Sequence, residues 1–180
     1  MQVLISYHSD YGNTRKMAEA IAAGYRAADA RATVVLKLVE MTALDDLVEA
    51  DVIIFGAPVH MGSMAWPMKK LIDQAGKLWM EGALEGKLGG VFATGGGFGG
   101  AGGGVEQTLI SLHSNFLQHG MLVVGFPKSL PGYSDGGLQW GPYGRSGNTE
   151  GMPQGLSDGS LVASRSYGAH LAETALCLRG

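Results

Sequence analysis

Short runs rich in valine and isoleucine recur along this chain, and stretches with helical spacing separate them. VLISY begins at Val3, TVVLKL at Thr33, DVIIFG at Asp51, GGVFAT at Gly89 and MLVVGF at Met121. Most of these runs barely alternate with polar residues, which is how parallel strands covered on both faces read. Between the first two, Met17, Ala18, Ile21, Ala22 and Tyr25 share one helical face, while Arg15, Lys16 and Glu19 point elsewhere. The T-x-x-D at Thr42 resembles a capping box and predicts a short helix. Pro67 suits the first turn of another, through MKKLIDQA. VEQTLISLHSNFLQH and SLVASRSYGAHLAETALCL supply two more. This alternation predicts one α/β domain over residues 1–180, a doubly wound parallel sheet with right-handed crossovers. The exception is Pro127 to Gly155, rich in Gly, Pro, Ser and aromatic residues, which reads as a long loop, functional or mobile.

Open sheets of this kind bind ligands beyond the carboxyl ends of their strands. Three segments there have unusual composition. The first, HSDYGNT, follows strand one and opens the first helix. Ser9, Asn13 and Thr14 are neutral donors, Gly12 permits a tight turn, and the helix end supplies free N–H groups and a positive dipole end. The G-K-[ST] of a P-loop is missing, so the loop suits a single monophosphate better than a nucleoside triphosphate. An ordinary N-cap by Ser9 or Asn13, with nothing bound, accounts for the same residues. The second, GAPVHMGSMAWP, exposes Val59, Met61, Met64 and Trp66, which suit a flat ring. A loop folded back on the core with Trp66 as its plug is the competing reading. The third, TGGGFGGAGGG, holds G-x-G-x-x-G at Gly95, Gly97 and Gly100. No acidic residue follows about 20 positions on to hold a ribose, so glycine backbone close to a planar ligand, or a flexible lid, explains it better, with a merely floppy connection as the competing reading.

Composition excludes several classes. The formal net charge is -3, so no global basic field collects nucleic acid or anionic lipid. The single cysteine, Cys177, rules out an internal disulfide and reads as a small buried hydrophobe on the last helix. No apolar run approaches the roughly 20 residues of a membrane span, and no basic region precedes the first strand, so a cytoplasmic protein without a signal peptide is expected. No pair of histidines has metal-ligand spacing. His8, His113 and His170 read as structural or exposed.

In this order the three loops resemble the flavodoxin-like superfamily, and within it the WrbA-type NAD(P)H:quinone oxidoreductases. The likeness runs through SDYGNT, FGAPVHMGSMAWPMKKLIDQAGKLWMEGAL, TGGG with EQT, QHGMLVVG and GPYG. It implies a five-stranded sheet of order 2-1-3-4-5 and FMN as cofactor. By the same likeness Ser9, Tyr11, Gly12, Asn13 and Thr14 hold the FMN phosphate. Pro58, Val59, His60, Met61 and Gly62 line the ring, and Thr94, Gly95, Gly96 and Gly97 follow its pyrimidine edge. His119 hydrogen-bonds near that edge as the catalytic residue, and Tyr11 and Trp79 flank the nicotinamide. Trp140 and Tyr143 are further candidates to cover the ring.

The implied activity is two-electron, ping-pong reduction of quinones by NAD(P)H, with those two substrates as partners and a homo-oligomer, dimer or tetramer, as the assembly. A flavodoxin-type electron carrier is the alternative, and a flavin-free module with the same fold is a third. Three departures stand out. The chain between strands two and three lacks the insertion the family uses in tetramer packing, the glycine loop is longer than typical, and His60 replaces the usual arginine.

Overall fold

The computed structural model describes residues 1–97, 103–150 and 152–179. Gly100 of the G-x-G-x-x-G match lies outside them, as does most of the extra length of the glycine loop.

The elements follow the sequence pattern: β1 (Gln2–Tyr7), α1 (Asn13–Ala28), β2 (Thr33–Leu38), α2 (Leu44–Glu49), β3 (Val52–His60), β4 (Ser63–Met64), α3 (Trp66–Gln74), α4 (Gly76–Met80), β5 (Leu88–Gly95), α5 (Val105–Gln118), β6 (Leu122–Val123), α6 (Tyr133–Gly136), β7 (Gly137–Leu138), β8 (Gly141–Arg145) and α7 (Asp158–Arg179). The sheet runs β2-β1-β3-β5-β8-β7, with β6 also on β5 and β4 folded onto β3. β1, β2, β3 and β5 pair in parallel, from Gln2 opposite Thr33 to Pro58 opposite Thr94.

Strand side chains alternate between faces, and each face has its own core. Val3, Ile5, Val52, Ile54 and Phe92 pack with Met17, Ile21 and Tyr25 of α1 and Tyr167 and Leu171 of α7. Leu4, Ile53, Phe55, Val91 and Ala93 pack on the other side with Met68, Leu71, Leu109, Leu112 and Phe116 of α3 and α5. On the first face α1 and α7 meet backbone to backbone. A Cβ on Gly24 would lie 1.9 Å from the Arg165 carbonyl oxygen, and one on Gly168 would lie 2.1 Å from that of Ile21.

The expected 2-1-3-4-5 order is present, but its fifth position is filled in two pieces. β6 pairs with Leu88 and Gly89 at the start of β5, and β8 pairs with Ala93 to Gly95 at its end. Between them the Tyr167 hydroxyl accepts from the Val91 N–H at 3.4 Å and donates to the Val124 carbonyl at 2.6 Å. A buried phenol thus stands in for the missing backbone, and its burial pushes its pKa up. The stretch from Pro127 to Gly155 is therefore not one long loop: it contains a helical turn, a hairpin and a strand of the sheet.

Two smaller expectations are corrected. Thr42 does not cap α2. Ala43 stands at the N-cap, Asp46 accepts from its N–H at 2.8 Å, and the Thr42 hydroxyl meets Ser6 Oγ at 2.8 Å. Only the acidic half of a capping box forms, because alanine has no side-chain oxygen. Cys177 is exposed, not buried, since it falls on the outward side of the last turns of α7. Among the described residues no helix is long and apolar enough to cross a membrane.

Replacing Tyr167 by phenylalanine leaves the Val124 carbonyl and the Val91 N–H buried without this partner. The variant is expected to lose about 1–3 kcal/mol in urea unfolding, with the slope unchanged.

Candidate functional site

The carboxyl ends of β1, β3, β5 and β8 converge on a cavity of about 520 Å³. That lies within the size of small-molecule and cofactor sites.

Its floor is the start of α1. Gly12 occupies the N-cap in left-handed backbone (φ 82°), and no side chain caps the turn through it. A Cβ on Gly12 would meet nothing within 4 Å, so its φ, rather than crowding, demands glycine here. The Arg15 N–H donates to Ser9 Oγ at a long 3.3 Å. Ser9, Asn13 and Thr14 line the cavity, and Tyr11 lines it while standing almost wholly exposed at its rim. The hydroxyls of Thr14 and Thr94 share a hydrogen bond of 2.8 Å, and both side chains are buried. Thr14 thus offers an incoming anion its backbone N–H more readily than its hydroxyl.

One wall is a β-hairpin where a loop was expected. β3 continues through Pro58 and Val59 to His60, turns at Met61 and Gly62, and returns as β4. Both turn residues have positive φ, 48° and 85°, as a two-residue hairpin turn of this hand requires. Methionine is an uncommon residue in that conformation, and Met61 is fully exposed. Pro58, Val59 and His60 line the cavity. Trp66 is no plug: it is mostly exposed, with Lys70 Nζ 5.9 Å from its ring centre.

Thr94, Gly95 and Gly96 form the back, and the late segment closes the far side through Ser146, Gly147, Pro153, Gln154 and Gly155. Sequence reasoning missed these five, although GPYG pointed at the strand that delivers them. The Ser146 N–H donates to the Gly95 carbonyl at 2.9 Å, extending the β8 pairing. A Cβ on Gly147 would lie 2.6 Å from the Gly96 oxygen. Arg145 donates to the Gly97 carbonyl at 2.7 Å and to that of Gly147 at 3.0 Å, tying the glycine loop to this wall.

Asp10 was also missed. It lines the cavity, with one carboxylate oxygen 3.1 Å from His60 Nε2 as an ion-pair contact and the other hydrogen-bonded to His8 Nε2 at 3.1 Å. His8 Nδ1 continues to Glu40 at 2.5 Å. His8 is hydrogen-bonded to both carboxylates, His60 stands at ion-pair distance from Asp10, and among the described residues no group of three or more His, Cys, Asp or Glu is arranged to hold a metal ion.

His119 and Trp79 do not join the site. His119 is buried just after α5, and β6, which follows it, pairs with the first residues of β5. The cavity begins six residues further along β5, about 20 Å away at strand rise. Trp79 is half-exposed on α4, before β5 begins. Trp140 and Tyr143 pack against the core on the α5 side, where the Trp140 carbonyl accepts from His113 Nε2 at 2.6 Å. Burial raises the Tyr143 pKa.

The floor suits an anion and the hairpin wall suits a flat apolar ring, with glycine backbone behind it. Residues 5–131 match the family described as Flavodoxin. The chain belongs to the flavodoxin family. That membership indicates a flavin cofactor, and the arrangement fits one. The chain is 36% identical over 203 residues to a protein of Syntrophobacter fumaroxidans named NAD(P)H dehydrogenase (quinone), with 97% of each covered. A protein of the same name from Geobacter metallireducens is 33% identical over 206 residues, with both chains fully covered. Among solved structures, a flavodoxin, WrbA-like protein from Agrobacterium tumefaciens aligns with TM-score 0.72 at 28% identity, over 98% of each chain. A flavodoxin from the domain Archaea aligns with TM-score 0.70 at 24% identity, over 98% of this chain and 99% of that one, and supports the fold alone.

Burial lowers the pKa of both His113 and His119, whose Nδ1 atoms are buried without a partner among the described residues. The folded state therefore binds protons less readily than the unfolded chain, where histidine titrates near ~6.5. Stability is fully present above that value and falls as pH drops through it. The urea midpoint is expected to be lower at pH 5.5 than at pH 7.5, and less pH-dependent in the double variant His113→Gln, His119→Gln.

Proposed function

We propose that the chain, residues 1–180 acting as one domain, is an FMN-dependent NAD(P)H:quinone oxidoreductase. The supporting observation is one cavity that joins a helix start with glycine at its N-cap, an apolar hairpin and a glycine-lined back, in a chain similar throughout its length to proteins named NAD(P)H dehydrogenase (quinone). FMN, when bound, supplies a ring that accepts a hydride and passes two electrons to an acceptor.

The chain supplies placement. The amides at Gly12, Asn13 and Thr14, with Ser9 Oγ, hold the phosphate by neutral donors and a helix end. Pro58, Val59 and His60 lie along the ring, with Met61 and Gly62 shaping the turn that carries them. Thr94 to Gly97 offer backbone to its polar edge. The carboxylate of Asp10 does not repel the phosphate strongly, because His8 and His60 face both of its oxygens. Tyr11, at the rim, flanks the space that NAD(P)H and then the quinone occupy in turn.

Trp79 serves the nicotinamide only from a neighbouring copy, since its own cavity is at the other end of the sheet. His119, buried just after α5, does not reach out to a neighbouring copy in that way. The proposal therefore includes a homo-oligomer in which facing copies complete each other's sites, and it places the protein in the cytoplasm. Nothing here calls for the long acidic face of an electron carrier.

In stopped flow, FMN-loaded protein is expected to be bleached by NADH or NADPH within a turnover and recoloured by benzoquinone. Persistent colour with both nucleotides would contradict the reading. Trp79→Ala is expected to slow bleaching about 10-fold while leaving recolouring within about two-fold, on the order expected when a positioning contact is lost. An unchanged bleaching rate removes that role.

A further inference from the structure

Reducing a quinone to a hydroquinone takes two electrons and two protons. NAD(P)H brings both electrons and one proton, together as a hydride. The second proton comes from the protein or from water. We propose that His60 donates it, as a catalytic residue on the cavity wall, and that Asp10 and His8 are positioning residues. The proposal rests on the quinone-reductase reading above.

The row Glu40–His8–Asp10–His60 carries the argument. Its contacts are 2.5 Å, 3.1 Å and 3.1 Å. Of its four ring nitrogens, three face carboxylate oxygens: both of His8, and Nε2 of His60. Nδ1 of His60 is the one left over, on the residue that lines the cavity. The Asp10 carboxylate stands beside Nε2 of His60 and leaves Nδ1 as the nitrogen free to meet a substrate. His8 is fixed by a carboxylate on each side and is the least exposed member. It cannot turn toward a substrate, but it holds Asp10 in place.

In the proposed step Nδ1 of His60 carries the proton that is given up. Donation then proceeds as follows. The Nδ1–H bond breaks and its electron pair stays on the ring nitrogen. A new O–H bond forms on the hydroquinone oxygen. The hydrogen bonds of His8 to Asp10 and Glu40 take no part in the step and are kept. Water restores the Nδ1 proton, since His60 remains about two-fifths exposed. Tyr11, a phenol at the cavity rim, is the competitor to exclude.

The test uses reduced, FMN-saturated protein mixed either with benzoquinone, which takes up protons, or with ferricyanide, which takes electrons alone. In His60→Gln the ratio of the quinone rate constant to the ferricyanide rate constant is expected to fall about 100-fold, the lower range for loss of a general acid. In Asp10→Asn it is expected to fall about 10-fold. An unchanged ratio in His60→Gln overturns the proposal, as does an equal fall in Tyr11→Phe. Failure of the unmodified protein to be bleached by either nucleotide overturns the quinone-reductase reading with it. A normal turnover with an unchanged ratio overturns only the role of His60. A second readout needs no cofactor. In the apoprotein, the Nε2–H signal of His8 is expected to be protected from exchange with water, and Asp10→Ala to abolish that protection and to shift the ring nitrogen signals of His60. Unchanged signals of both rings in Asp10→Ala contradict the row.

Discussion

The hydrogen bond between Thr14 and Thr94 joins the two parts of the site that the chain delivers separately. Thr14 belongs to the first turn of α1, and Thr94 to the last residues of β5, 80 positions later. Both hydroxyls are buried, so the bond is shielded from water and costly to leave half-made. It sets the height of the helix start against the glycine backbone. Everything that reads as phosphate seat or ring edge takes its position from that distance. The hairpin is placed in turn by Gly104, whose Cβ, if it had one, would lie 2.3 Å from the Gly62 carbonyl oxygen.

The electrostatics of the site are local. The loop after β1 has no lysine to draw in an anion. The helix start, left open by Gly12, does that work with partial charge, typically worth 0.3–1 kcal/mol at an exposed end and up to about 2 kcal/mol when partly buried. A carboxylate in that loop would oppose it, and Asp10 is tolerable because two imidazoles occupy its oxygens. The row from Glu40 to His60 therefore has one structural purpose, shielding Asp10, before any catalytic one. His60 stands where the resemblance expects an arginine. An imidazole can release a proton at neutral pH and a guanidinium cannot, so the exchange alters chemistry as well as shape.

Much of this was legible in the residues. The buried strands and the four long helices follow from apolar periods and clear start signals such as Pro67. The loops leaving β1, β3 and β5 could be placed at one edge because parallel topology puts them there. What escaped has physical reasons. GPYGR reads as turn, since its two glycines and proline have low strand propensity, yet it pairs with the end of β5. Its place depends on Tyr167, a residue that reads only as helix core. Pro58 and Gly62 read as breakers, but the hairpin needs a positive φ at Gly62, and Pro58 sits where β3 leaves the sheet. His119 and Trp79 were assigned by likeness alone, and within one chain they lie at the wrong end of the strands. Asp10 carried no signal until the fold brought His8, His60 and Glu40 beside it.

The central claim is that a single phosphate docks on the open start of α1. Titrating the apoprotein with FMN and with riboflavin, which lacks only that phosphate, tests it directly by quenching of flavin fluorescence. Two or more charge-assisted hydrogen bonds, at about 1.5–3 kcal/mol each, predict that FMN binds at least about 100-fold more tightly. Equal affinities for the two flavins would contradict the account.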